Sequence, residues 1–298
     1  PPPSVTAAGG ELGHRPPKRQ KEAPQTHAGC VRQSDNTLGN LAAVEAALAK
    51  IGRCALSADE LAVLRTDPAL KGALANGWSE GAGEDAVLEL VSLLADGETL
   101  RANAAACLGH VLLPLMAAAE ASVSRRVLDA ARGCVAMFPE VSVRSLVAPL
   151  AAAGAVGAVE AMKALLADAA ECLGWPAVLD PVLASVASAS AEVLGSSSSL
   201  ALLKHVVDGK ASSHAVADLA RPGPAKAVLV AIAALAEASA SDGKYGALLF
   251  SYVKAALRMG DDEVLQVLDA VVRPALEVHK TFIRKAALRK LAAGLGKR

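Results

Sequence analysis

From Leu38 to the C-terminus, apolar residues return at helical spacing, interrupted every 15 to 20 residues by Gly, Pro, Ser or Asp, and no segment shows the two-residue alternation of a strand. This period restricts the chain to helices before anything else is known about it. Val123, Val127, Ala130, Ala131, Cys134, Val135 and Phe138 follow the i, i+3, i+4, i+7 rule, with Arg125, Arg126, Asp129 and Arg132 opposite. Tyr245, Leu248, Leu249, Tyr252, Val253 and Ala256 form a second such face, and Val264, Leu268, Val271 and Ala275 a third. Asp261 and Asp262 precede that third face, where an N-cap and a favourable dipole charge belong. The spacing predicts an all-α protein of about thirteen to fifteen helices with short connections.

The kind of apolar residue sharpens the reading. Hydrophobic residues make up 53% of the 298 and aromatics only 2%, with Ala, Leu and Val supplying most of the rest. Ala-rich faces let helix axes approach closely but bury little area each, so many thin contacts must replace a few large ones. A chain this apolar is not disordered throughout.

Four strings share two aliphatics, any residue, Pro, then two apolar residues, centred on Pro114, Pro149, Pro181 and Pro274. The prolines lie 35, 32 and 93 residues apart, and the last interval is about three of the first two. A period of 30 to 35 residues is that of α-solenoids, in which each helix pair buries its face only against its neighbours. The expected architecture is an α-solenoid of HEAT/armadillo-like repeats.

The formal net charge is zero, but it is unevenly distributed. Residues 1–37 carry 5 basic and 3 acidic side chains, 38–278 carry 18 and 27, and 279–298 carry 7 and none. Three regions follow: a Pro, Gly and Gln-rich disordered tail over 1–37, an N-terminal helical region over 38–100, and a helical-repeat domain over 101–298. The first residue is Pro rather than Met, as expected of a piece of a longer protein. The longest uncharged run, Ala102 to Ala119, contains Asn103, His110 and Pro114 and reads as a buried helix pair rather than a membrane span.

Signatures of catalysis are absent. Cys30, Cys54, Cys107, Cys134 and Cys172 form no C-x-x-C pair, which fits a reducing intracellular compartment better than a disulfide framework or a zinc site. His14, His27, His110, His205, His214 and His279 lie at no metal spacing from one another, and His110 reads as a core side chain. No phosphate-binding loop, nucleophile elbow or H-E-x-x-H occurs. Cys107 and Cys134, on apolar faces, behave as small hydrophobes, and Glu84-Asp85 with Glu89 reads as a solvated first turn. A non-enzyme without cofactor, metal or small-molecule substrate is expected.

Two basic signals remain. Lys18, Arg19 and Lys21, after Pro16-Pro17, match the pattern of a nuclear import signal, with an ordinary charged linker as the competing reading. In the last segment, Phe282, Lys285 and Arg289 share one helix face, an apolar and cationic strip suited to an acidic partner. Alternatively Phe282 packs inward as part of a terminal cap. A third reading has the basic terminus contact nucleic acid through its clustered Lys and Arg.

The strings Ser122-Val123-Ser124-Arg125-Arg126-Val127-Leu128, Phe138-Pro139-Glu140-Val141 and Leu146-Val147-Ala148-Pro149-Leu150 resemble the C-terminal helical-repeat domain of the Fanconi anaemia group E family, in its plant or algal form. So do the run from Ser241 through Lys244-Tyr245-Gly246 to Val253 and the ending from Lys280-Thr281-Phe282-Ile283 to Leu291. The resemblance covers about residues 105 to 292; residues 196–226 depart from the pattern, and 38–100 share only helicity with it.

The resemblance implies a nuclear, non-catalytic adaptor subunit of the Fanconi core ubiquitin-ligase complex, working in repair of interstrand DNA crosslinks. Its partners would be the group C and group F subunits and the group D-two substrate that is monoubiquitinated. Phe282, Lys285, Arg289, Lys244 and Tyr245 are the candidate partner contacts. A generic HEAT/armadillo-like scaffold of another pathway shares every compositional feature.

Overall fold

A computed structural model describes the backbone of residues 31–296 and the side chains of 40–296. Among the described residues there are nineteen α-helices and no strand. In chain order they begin with α1 (Val31–Leu48), α2 (Ala58–Thr66), α3 (Ala69–Ala75), α4 (Trp78–Gly81) and α5 (Glu84–Leu94). α6 (Arg101–Cys107) continues through a π turn (Leu108–Leu112) into α7 (Leu113–Ala117), and α8 (Arg125–Met137) follows. α9 (Pro139–Ser142) likewise continues through a π turn (Val143–Val147) into α10 (Ala148–Ala153). Then come α11 (Val159–Leu173), α12 (Trp175–Ala187), α13 (Ala191–Leu194), α14 (Ser197–Asp208) and α15 (Ser212–Ala217). The chain closes with α16 (Pro224–Ala234), α17 (Gly243–Met259), α18 (Asp262–Val278) and α19 (Ile283–Leu295). Counted as continuous rods longer than one turn, these are fifteen.

The rods stand in two rows. In the first, α2 packs on α5, α5 on α8, α8 on α11, α11 on α14, α14 on α17 and α17 on α19. In the second, α3 packs on α6, α7 on α10, α10 on α12, α12 on α16 and α16 on α18. α1 lies against α2 and α3 at one end. One continuous apolar cluster runs from Val44 to Leu291, without a break at the boundary expected near residue 100.

The periodic faces explain the core. On α8, Val127, Ala131, Cys134 and Val135 are buried while Arg125, Arg126, Asp129 and Arg132 are exposed; Ser124 caps the helix by accepting from Val127 N at 3.3 Å. On α17 the whole expected face is buried, and Asp261 caps α18 by accepting from the backbone of Glu263 and Val264. Exposed ion pairs link neighbours in the first row: Arg126 with Asp85 at 2.7 Å and Arg132 with Asp168 at 2.6 Å.

All four string prolines lie in the second row. Pro114 and Pro149 each follow a π turn, in which Leu113 N bonds back to Leu108 O and Ala148 N to Val143 O. A proline has no N–H for the carbonyl four residues earlier and its ring crowds that carbonyl, so the helix widens just ahead of it. The carbonyl opposite Pro114, that of His110, is instead satisfied by the hydroxyl of Ser79 at 3.1 Å. Pro181 and Pro274 sit inside α12 and α18. One second-row helix, α16, separates those two, so the 93-residue interval is two steps rather than the three expected. The surplus length forms α13, α15 and the Leu235–Asp242 connection.

Two further expectations are corrected. Ala102–Ala119 is not a helix pair but lies mostly in the single α6–α7 rod, because the π turn absorbs Pro114 without breaking it. Its Asn103 is fully buried and donates from Nδ2 to the carbonyls of Leu64, Arg65 and Asp67, closing the end of α2. α1 begins at Val31, inside the stretch expected as tail, because the polar Arg32–Thr37 run lacks the apolar period by which helices were recognised.

Candidate partner-binding surface at the C-terminal end

α17, α18 and α19 pack on one another, with the 279–282 turn seated on the start of α17. The joint is made by His279, which is fully buried: its Nε2 is 2.7 Å from Thr281 Oγ1, and its ring stands 5.9 Å from that of Tyr245 at 57°. A Cβ on Gly246 would overlap the imidazole, so glycine there is what allows the ring to lie against α17. Lys280 N donates to Ala240 O at 2.7 Å, fixing the other side of the turn. Burial lowers the His279 pKa below its ordinary 6.5, and the Asp242 carboxylate opposes that shift without cancelling it. The imidazole therefore gives up its proton more readily than a solvated one.

Tyr245 belongs to this joint and not to the surface. It is 0% exposed, its hydroxyl donates to Ile232 O at 3.1 Å, and burial pushes its pKa up to about 12. Its expected partner contact is withdrawn: the side chain lies in the core face that its own spacing with Leu248, Leu249 and Tyr252 marks out. The adjacent Lys244 is exposed.

Phe282 is 87% exposed and opens α19, whose inner face buries Ala287 and Leu291. Lys285 and Arg289 are exposed, three and seven residues further on, so the three side chains form a solvent-facing strip. The alternative of an inward-packed Phe282 is overturned by that exposure. Lys18, Arg19 and Lys21 lie outside the described residues.

Sequence reasoning missed a second cationic feature. Asp208, Lys254, Leu257, Arg258 and Lys290 line a groove of about 480 Å³ between α14, α17 and α19. A neighbouring hollow, lined by Lys163, Ala201, Lys204, His205, Asp208 and Gly209, continues it across α14 to α11. Lys204 pairs with Asp208, Lys163 with Glu160 at 2.6 Å, and the Lys254 ammonium lies 4.8 Å from the centre of the Phe250 ring. Partial burial pushes the Asp208 carboxyl up, but the Lys204 bond and the charges of Lys204 and Lys254 outweigh it and hold the group below the ordinary carboxylate value. Phe250, Lys254 and Arg258 recur every four residues, the one local signal that could have flagged this face.

Two thiols and two carboxylates singled out in the sequence have structural employment. Burial pushes the Cys134 thiol up to about 11 and the Cys107 thiol further still, removing the thiolate a nucleophile needs. Glu84 accepts from Ser124 Oγ at 3.0 Å and Asp85 pairs with Arg126, so both carboxylates join α5 to α8. His110 is half-buried in the first π turn. Among the described residues no cluster of three His, Cys, Asp or Glu is placed to hold a metal, and no helix is long and apolar enough to cross a membrane. Compared with known proteins, the chain matches no family model and no curated protein.

Proposed function

We propose that the two rows of helices are an α-solenoid of HEAT/armadillo-like repeats, and that the chain is the non-catalytic adaptor of a nuclear Fanconi anaemia core ubiquitin-ligase complex. In this reading it joins the group C and group F subunits to the group D-two substrate for monoubiquitination in crosslink repair. Lys18, Arg19 and Lys21 would direct it to the nucleus. The observation that carries the reading is Phe282, an aromatic ring 87% exposed beside Lys285 and Arg289 in a chain with three phenylalanines. Burying such a ring contributes about 1.5–3 kcal/mol, and a buried aromatic flanked by cations is the usual anchor of a protein interface. The neighbour-to-neighbour packing within each row supports the solenoid, and the polar groups occupied in ion pairs and caps support a scaffold.

Co-purification with the group C protein of the same species tests the reading. Retention is expected; failure to bind would favour a HEAT/armadillo-like scaffold of another pathway. Capture of group D-two protein should then be lost on Phe282→Ala with Lys285→Glu, both exposed, at unchanged melting temperature. Capture that survives both changes would remove this site.

A further inference from the structure

We infer that the groove between α14, α17 and α19, extended over α14 to α11, is a second docking surface that takes an acidic peptide segment of a partner protein. It rests on the scaffold reading only in that the partner is a protein; it is separate from the Phe282 strip.

The argument starts from unbalanced charge. Five cations, Lys163, Lys204, Lys254, Arg258 and Lys290, line the two hollows, and only Lys163 and Lys204 have carboxylate partners among the described residues. Among the described residues Arg258 reaches the Ser212 hydroxyl at 3.4 Å, and Lys254 is held over the Phe250 ring. Lys290 completes the far wall from α19. Three positive charges thus converge on one concavity and attract an anion.

The shape of the charge selects which anion. Asp208 sits where the two hollows meet, so a ligand crossing both must place a neutral or donor group there. A nucleic-acid strand repeats its charge at every nucleotide and cannot skip a position, whereas a peptide can. Leu257 and Ala201 form apolar floor between the cations, which suits alternating acidic and apolar side chains and offers a phosphate nothing. Stacking of single-stranded bases also has no platform, since Phe250 is half-buried with Lys254 over its ring. Three helix-to-helix steps of roughly 8–10 Å span about 25–30 Å, which eight or nine extended residues cover.

Fluorescence anisotropy on the full chain tests this with three probes: a labelled nine-residue peptide alternating Glu and Leu, its Gln counterpart, and a DNA duplex. The Glu peptide should bind about tenfold or more tightly than the Gln peptide. Lys254→Glu with Lys290→Glu, both exposed, should weaken it by a similar factor at unchanged melting temperature, and Phe282→Ala should leave it unchanged. Equal binding of the two peptides, or indifference to the charge reversals, would overturn the inference. So would a duplex that binds more tightly than the peptide and is lost in the same variant, which would make this a nucleic-acid face. Since Lys254 and Lys290 lie outside the Phe282 strip, group C co-purification succeeds or fails independently of this result.

Discussion

Gly246 allows the seat of α19 to be tested with a single methyl group. Its backbone N donates to Asp242 O at 3.1 Å in the first turn of α17, and the space where a Cβ would stand is filled by the His279 imidazole. The ring cannot simply recede: Thr281 Oγ1 holds its Nε2 at 2.7 Å and Tyr245, itself fully buried, flanks it. Gly246→Ala therefore forces an overpacked core position, costing about 1–3 kcal/mol. Displacing the imidazole also loses a hydrogen bond worth about 1 kcal/mol. Against this stands the helix preference of alanine over glycine, about 0.5–1 kcal/mol in the other direction. The net is a destabilisation of about 2 kcal/mol, or roughly 3 °C in melting temperature for a chain of 298 residues. Thermal unfolding followed by circular dichroism measures it, and Gly246→Ala with His279→Ala should be no less stable than His279→Ala, because the clash is gone and only the helix preference of alanine remains. An unchanged or raised melting temperature in the single variant would show that backbone preference outweighs the contact and that His279 is not fixed as described.

Two further outcomes follow from the same energetics. Because the His279 pKa is depressed in the fold, the unfolded chain takes up its proton first as pH falls. Stability is therefore expected to drop as pH is lowered below about 6.5 and to level off beneath the depressed folded pKa, with the slope reduced in His279→Gln; a melting temperature flat from pH 7.5 to 5 would contradict it. His205, also lowered by burial, contributes with the same sign. Asn103→Ala removes the donors that satisfy the Leu64, Arg65 and Asp67 carbonyls and should cost about 1–3 kcal/mol in denaturant unfolding, whereas an unchanged midpoint would mean that water replaces the amide.

What the sequence makes legible is whatever depends on neighbours in the chain. The faces of α8, α17 and α18 follow from 3.6-residue spacing, and the caps at Ser124 and Asp261 from residue type and position. The proline strings mark second-row rods, although no local signal distinguishes a π turn ahead of Pro114 from the α-helical setting of Pro181. Tyr245 is instructive, since its place in a periodic face already gave its burial, while the family resemblance put it among the contacts. The exposed strip of Phe282, Lys285 and Arg289 was legible because it lies on one helix. The groove was not, because its cations come from α11, α14, α17 and α19, and only the stacking of the rows brings Lys163 and Lys290 onto one surface.

The small residues between the rods add a second class of damaging substitution to the usual one. Added atoms at Gly157 would run into the backbone at Ala119, at Gly154 into Val193 at 2.8 Å, and at Gly294 into Leu257. Truncating the Leu and Val side chains that make up most of the buried core leaves cavities, at about 2–5 kcal/mol for Leu to Ala. Insertion of volume at the small residues is costly as well, because two helices must move apart and carry their neighbours with them. For a chain built this way, a change from Gly or Ala to a larger side chain at a helix crossing joins truncation of a core Leu as a route to loss of fold.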